Sequence, residues 1–164
     1  MPEVFVGIGT NIDRERNLAS ALQHLSEAFG TLRCSSVYET EAVGFVGDPF
    51  LNLVVSFETE LSVPELVGLL ADIERGHGRQ RDSRKFAART LDLDLLLYGD
   101  TVVRQEKLRI PREEITRYAF VLEPLAELAP DHRHPVLGIS FARLWSEFDK
   151  THVRQHRIPF PANA

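Results

Sequence analysis

The chain is poor in cysteine: Cys34 is the only one in 164 residues. A single thiol cannot form an internal disulfide, which agrees with a reducing compartment, and its plain reading is a small buried residue on a strand. No apolar run reaches membrane-spanning length. Met1-Pro2-Glu3-Val4 opens directly into a strand with no charged leader, so neither signal peptide nor anchor is expected and a cytoplasmic address follows. Internal repeats and low-complexity segments are absent. Gly7-Ile8-Gly9-Thr10 lacks the Gly-Lys-Ser/Thr ending of a P-loop, and no kinase-type loop occurs, so two common phosphate cradles are excluded.

What is present is an ordinary globular composition, 43% hydrophobic and 26% charged, in a chain long enough for one domain with a real core. Residues 1–150 are read as that domain and residues 151–164 as a polar, proline-containing tail, extended or loosely packed. The net charge of −5 hides an asymmetry. Residues 1–74 carry 3 basic and 12 acidic side chains, residues 75–117 carry 11 and 7, and residues 118–164 carry 5 of each. Positive charge concentrated in the middle third fits a polyanionic ligand better than a nucleic-acid face spread over the molecule.

Hydrophobic period orders the elements. Residues 4–9 read as a buried strand, and Asn11 or Asp13 can cap a helix bearing Leu18, Leu22, Leu25 and Phe29, stopped by Gly30. Residues 32–39 form a second strand and residues 40–49 a loop. Residues 50–59 form a third strand, with Leu51, Leu53, Val55 and Phe57 on one face and Phe50, Asn52, Val54 and Ser56 on the other. Ser62-Val63-Pro64-Glu65 has capping-box spacing and opens a second helix with a stripe of Leu66, Leu69, Leu70 and Ile73. A fourth long strand follows over residues 89–98. The order β-α-β-β-α-β is the split βαβ, ferredoxin-like arrangement: an α+β fold whose antiparallel sheet has both helices on one face and the other face free for ligands. Downstream, Val102-Val103 and Leu108-Arg109-Ile110 form a small extra hairpin. Pro124 opens a short helix through Leu128, and Ser140 caps a last one. His132 and His134 are read as surface residues rather than metal ligands.

The chemistry centres on Arg89-Thr90-Leu91-Asp92-Leu93-Asp94-Leu95-Leu96-Leu97-Tyr98. Its period of two sends Leu91, Leu93, Leu95 and Leu97 to the core and puts Asp92 and Asp94 on the opposite face, with Cα atoms about 6.5 Å apart. Two neighbouring carboxylates work against strand propensity unless a cation offsets their repulsion. Immediately upstream, residues 76–90 form a loop with five basic residues and one acid. Arg79, Arg81 and Arg89 can clamp phosphate bidentately. These are ingredients for magnesium-assisted phosphoryl or pyrophosphoryl transfer, in which positioning and charge neutralisation need no nucleophilic side chain.

Gly7-Ile8-Gly9-Thr10-Asn11, Phe50-Leu51-Asn52, Ile73-Glu74, Arg89 to Leu96, Phe120-Val121-Leu122-Glu123-Pro124-Leu125 and Leu128-Ala129-Pro130, in that order, resemble the 6-hydroxymethyl-7,8-dihydropterin pyrophosphokinase family over residues 3–150. The resemblance implies the ferredoxin-like fold and transfer of the terminal diphosphate of ATP to the pterin hydroxymethyl group, releasing AMP, in folate biosynthesis. It also implies that Asp92 and Asp94 hold two magnesium ions, that ATP is the co-substrate, and that Arg79, Arg81 and Arg89 grip its phosphates. Thr40, Val43 and Asn52 would bond the pterin edge, with Phe50 and Phe120 flanking its ring. Leu70, Glu74, Leu95, Lys107 and Arg109 would lie along the nucleotide.

The chain departs from the bacterial pattern at Glu41-Ala42, at Phe86 with Ala87-Ala88, at Arg112, and at Tyr118 beside Arg117. Phe86 can still stack in the pterin site and Arg112 can still bind phosphate. Small-molecule substrates, a monomer, and neither nucleic acid nor membrane are the expected partnerships. Two alternatives stand beside this reading: a diverged relative acting on another pterin, and a non-catalytic ferredoxin-like ligand- or RNA-binding module, which requires exposed aromatics on the middle strands.

Overall fold

A computed structural model describes residues 1–41, 47–78 and 91–160. Five strands form the main path of an antiparallel sheet: β1 (Glu3–Thr10), β3 (Val37–Thr40), β4 (Phe50–Glu58), β5 (Asp92–Tyr98) and β8 (Gln155–Ile158), in the order β5-β1-β4-β3-β8. Short β2 (Arg33–Cys34) also pairs with β4. The first four strands of that path, with α1 (Arg14–Phe29) and α2 (Val63–Gly76) as crossovers, realise the split βαβ order with every neighbour antiparallel.

Both early helices lie where their apolar stripes point. Leu18, Ala21 and Leu25 of α1 and Leu66, Leu70 and Ile73 of α2 share one core with Val4, Val6, Ile8, Leu51, Leu53, Val55, Leu93 and Leu95. The capping box forms as read: Ser62 Oγ accepts from the Glu65 amide and the Glu65 carboxylate accepts from the Ser62 amide. Asp13 occupies the cap position of α1 but sits at φ 43° and makes no side-chain cap bond. Asn17 bonds the Ile12 carbonyl at 2.6 Å instead.

The second sheet face is only partly open. A second core joins Phe5, Val54, Leu96 and Leu97 to Val121, Leu122 and Leu125 of α4 (Ala119–Leu128) and to Phe141 of α5 (Phe141–Ser146). Leu97 therefore faces away from Leu91, Leu93 and Leu95. A bulge between Leu95 and Leu97, opposite Phe5 and Val6, shifts the register so that Leu96 and Leu97 both serve the second core. Pro124 lies inside α4 rather than opening it: the helix is seeded by the Tyr118 carbonyl, which accepts from Val121 and Leu122. Ser140 does cap α5. The hairpin pairs β6 (Val103–Arg104) with β7 (Arg109–Ile110), and a single turn, α3 (Glu114–Arg117), follows it.

The second strand is not continuous. Ser35 and Ser36 break it because their polar groups bond elsewhere: Ser35 Oγ accepts from the Val54 amide, and Ser36 donates through both its amide and hydroxyl to Glu127. Cys34, beside this break, is exposed, which corrects its reading as buried. Glu127 also accepts from the fully buried Tyr38 hydroxyl at 2.8 Å. Burial alone would raise the Glu127 pKa, but the hydrogen bonds from Ser36 and Tyr38 hold it below the ordinary range.

His134 is buried, contrary to a surface reading, and its Nδ1 accepts from the Val136 and Leu137 amides. Within the tail, Gln155–Ile158 is extended and adds an edge strand, with Val37 opposite Ile158 and Thr40 opposite Gln155. Among the described residues no helix is long and apolar enough to cross a membrane.

Candidate active site

The D-x-D strand and the glycine end of β1 build one floor. Gly7 pairs with Asp94 and Gly9 with Asp92, so each aspartate faces the site across a residue that has no side chain. On the other flank Gly7 pairs with Val54 and Gly9 with Asn52. Antiparallel partners point to the same face, so the two carboxylates, the glycine gap and Asn52 lie side by side. Above them opens a cavity of about 320 Å³, lined in part by Thr40, Phe50, Asn52, Asp92, Asp94, Arg112 and Phe120. That volume lies at the small end of the range for small-molecule sites.

Its polar groups are held in place. Asn52, 7% exposed, donates to Thr40 Oγ1 at 3.1 Å, which fixes the amide against Gly9. Phe120 stacks on Tyr118 with centroids 5.2 Å apart. Glu74 of α2 accepts from the Leu93 amide at 2.7 Å, tying the helix to the strand between the two aspartates. The tail braces both walls: the Glu41 amide donates to the Arg154 carbonyl, while Gln155 bonds the Ala119 carbonyl and the Glu123 carboxylate beside Phe120.

Arg112 enters from the segment after β7. Its amide donates to the Leu96 carbonyl at 3.0 Å, its Nε engages Glu114, and its Nη2 stands 3.4 Å from Asp94 Oδ1. Burial by itself would lower the guanidinium pKa, but attraction from Asp94, Glu114 and Glu74 outweighs it and holds the pKa above its ordinary value.

Residues 5–130 match the family described as 7,8-dihydro-6-hydroxymethylpterin-pyrophosphokinase (HPPK). The chain belongs to this family. A Synechocystis protein named 2-amino-4-hydroxy-6-hydroxymethyldihydropteridine pyrophosphokinase is 40% identical over 151 residues, covering 90% of this chain and 77% of the relative. A Bacillus subtilis protein of the same name is 40% identical over 128 residues, covering 76% of each chain. Among solved structures, a Plasmodium falciparum HPPK-DHPS superposes with a TM-score of 0.73 at 16% identity, over 96% of this chain. The chain spans 45% of that protein's length, and the likeness at this identity shows the fold alone.

Set against the sequence reading, the HPPK fold brings Thr40, Phe50, Asn52, Asp92, Asp94, Arg112 and Phe120 to one cavity. Leu70 and Leu95 are instead sealed in the core between α2 and the sheet, at 3% and 4% exposure. That burial leaves their side chains little surface for a nucleotide. Lys107 and Arg109 are exposed on the hairpin, outside that cavity's lining, and Arg109 pairs with Glu113. Val43, Arg79, Arg81, Phe86 and Arg89 lie outside the described residues. Glu41, noted from sequence only as a departure from the bacterial pattern, also lines the cavity, as does Glu114, which the sequence did not point to. The only cue to Glu114 is its place two residues after Arg112.

Proposed function

We infer that this chain transfers the diphosphate of ATP to the hydroxymethyl group of 6-hydroxymethyl-7,8-dihydropterin, giving the pterin diphosphate and AMP, as a step of folate biosynthesis. The observation that carries the reading is the shared floor: Asp92 and Asp94 across Gly9 and Gly7 from a fixed Asn52, opening into one cavity with Phe50 and Phe120. A flat heteroaromatic with a donor and acceptor edge suits the amide and the aromatic walls. A polyphosphate suits the acid and arginine side.

The donor set fits a hard divalent cation. Two carboxylates share one face, and among the described residues a cation, Arg112, is already drawn towards Asp94. Among the described residues no group of three or more His, Cys, Asp or Glu side chains gathers. Two carboxylates suffice for magnesium, which takes its remaining ligands from water and substrate phosphates. Asp92 and Asp94 would hold the magnesium, which would supply neutralisation of the charge developing on the leaving group.

In the reaction the pterin hydroxyl oxygen bonds to the β-phosphorus of ATP as the bond from that phosphorus to the α,β-bridging oxygen breaks. AMP leaves with that electron pair, and the hydroxyl proton passes to solvent. Asn52 and Thr40 orient the pterin, Phe50 and Phe120 bracket its ring, and Arg79, Arg81 and Arg89 hold the phosphates in line. The RNA-binding alternative calls for exposed aromatics on the middle strands. Phe5 on β1 is fully buried beneath the C-terminal helices, which favours the enzymatic reading.

The test is incubation of the protein with magnesium, ATP and 6-hydroxymethyl-7,8-dihydropterin, followed by nucleotide chromatography. AMP formed in equal amount to pterin diphosphate is expected. ADP as the product, or no pterin-dependent AMP, would refute the reading.

A further inference from the structure

Arg112 is held between two carboxylates of opposite assignment. Asp94 belongs to the site floor, whereas Glu114 lies on α3 and has no part in the reading above. The guanidinium engages Glu114 through Nε and reaches Asp94 with Nη2, and its backbone is pinned to the Leu96 carbonyl two residues beyond Asp94. Side chains of Arg112, Asp94 and Glu114 are 37%, 33% and 19% exposed, so water screens the contact only in part. A planar fork can span both acids, whereas a lysine ammonium is a compact point charge.

We propose that Arg112, tethered by Glu114, is a built-in counter-ion of Asp94 that a metal cation must displace from that carboxylate, so that Arg112 sets how tightly the Asp92–Asp94 pair takes up metal before nucleotide arrives. This rests on the metal reading of the pair given above. Arg112 is a positioning residue in this role: it lowers bare-site cation affinity and, once displaced, stays on Glu114 at the cavity wall, where a phosphate can meet its free edge.

The test is Mn²⁺ binding to the full chain, followed by electron paramagnetic resonance of free Mn²⁺, with no nucleotide and then with an unhydrolysable ATP analogue. Arg112→Met should lower the Mn²⁺ Kd without nucleotide by about three- to tenfold, the range for losing a partly screened opposing charge. Arg112→Lys, which keeps the charge but loses the two-acid span, should recover most of that tightening. Equal Kd values for the parent and Arg112→Met overturn the proposal while leaving the metal site standing. A lysine variant indistinguishable from the parent, with methionine alone tightening, also overturns it, because the effect is then net charge and not bridging. No Mn²⁺ bound by any of the proteins, even with the analogue, removes the metal reading and this inference together.

Discussion

A methyl group at Gly9 should disable pterin recognition while the same change two residues earlier should not. A Cβ at Gly9 would stand 2.9 Å from Asn52 Oδ1, with Phe50 and Asp92 also within 4 Å. The amide cannot simply yield, because Asn52 is buried and donates to Thr40 Oγ1. Turning it away forfeits that hydrogen bond, about 0.5–1.5 kcal/mol, and leaves a strained rotamer at about 0.5–1.5 kcal/mol. Against this, alanine is better than glycine inside a strand by roughly 0.5–1 kcal/mol. Gly9→Ala should therefore lose about 0–2.5 kcal/mol of stability in urea unfolding and raise the KM for pterin about tenfold or more, with a smaller effect on the KM for ATP. At Gly7 the atoms nearest a Cβ would be those of the Leu96 side chain, at 3.5 Å and beyond, ordinary contact. Gly7→Ala should match or slightly exceed the parent in stability and leave the pterin KM within about twofold. Equal pterin KM values for the two variants would refute the claim that the glycine gap exists to seat Asn52.

Three further outcomes follow from the geometry. Asp94→Ala should abolish AMP formation with an unchanged circular dichroism spectrum, since one of two carboxylates is lost and its side chain is part-exposed rather than core; retained turnover would contradict the metal assignment. Ser62→Ala removes one half of the α2 capping box and should cost about 1 kcal/mol, seen as a lower Tm, with kcat unaffected. Burial lowers the His134 pKa, so the unfolded chain takes up the proton first: stability should be intact above about pH 6.5 and erode as pH falls below it. Protonation would also strip Nδ1 of its role as acceptor for two amides. His134→Asn, which can keep an acceptor there without titrating, should flatten that part of the pH profile, and an unchanged slope would exclude His134 as its source.

Elements with strong periodicity are legible in the sequence itself. The alternation in Asp92-Leu93-Asp94-Leu95 and the two faces of β4 appear as read, and so does the α2 capping box, because each is written in residues next to one another. What sequence could not show depends on distant partners. Ser35 and Ser36 break a strand through bonds to Val54 and Glu127, the latter 91 residues away. The bulge that turns Leu97 over is set by its pairing with β1. Tail residues 155–158 form a strand only because β3 offers an edge more than a hundred residues earlier. The candidate site divides the same way: Asp92 and Asp94 announce themselves, whereas the Gly9–Asn52 gap and the Asp94–Arg112–Glu114 chain exist only once β1 lies between β4 and β5.

The most direct measurement is a cocrystal structure with magnesium, an unhydrolysable ATP analogue and 6-hydroxymethylpterin. The triphosphate should lie over Asp92 and Asp94, with cations between them and the pterin beside Asn52 between Phe50 and Phe120. A nucleotide bound elsewhere, with both aspartates engaged only by protein side chains, would contradict the diphosphate-transfer reading.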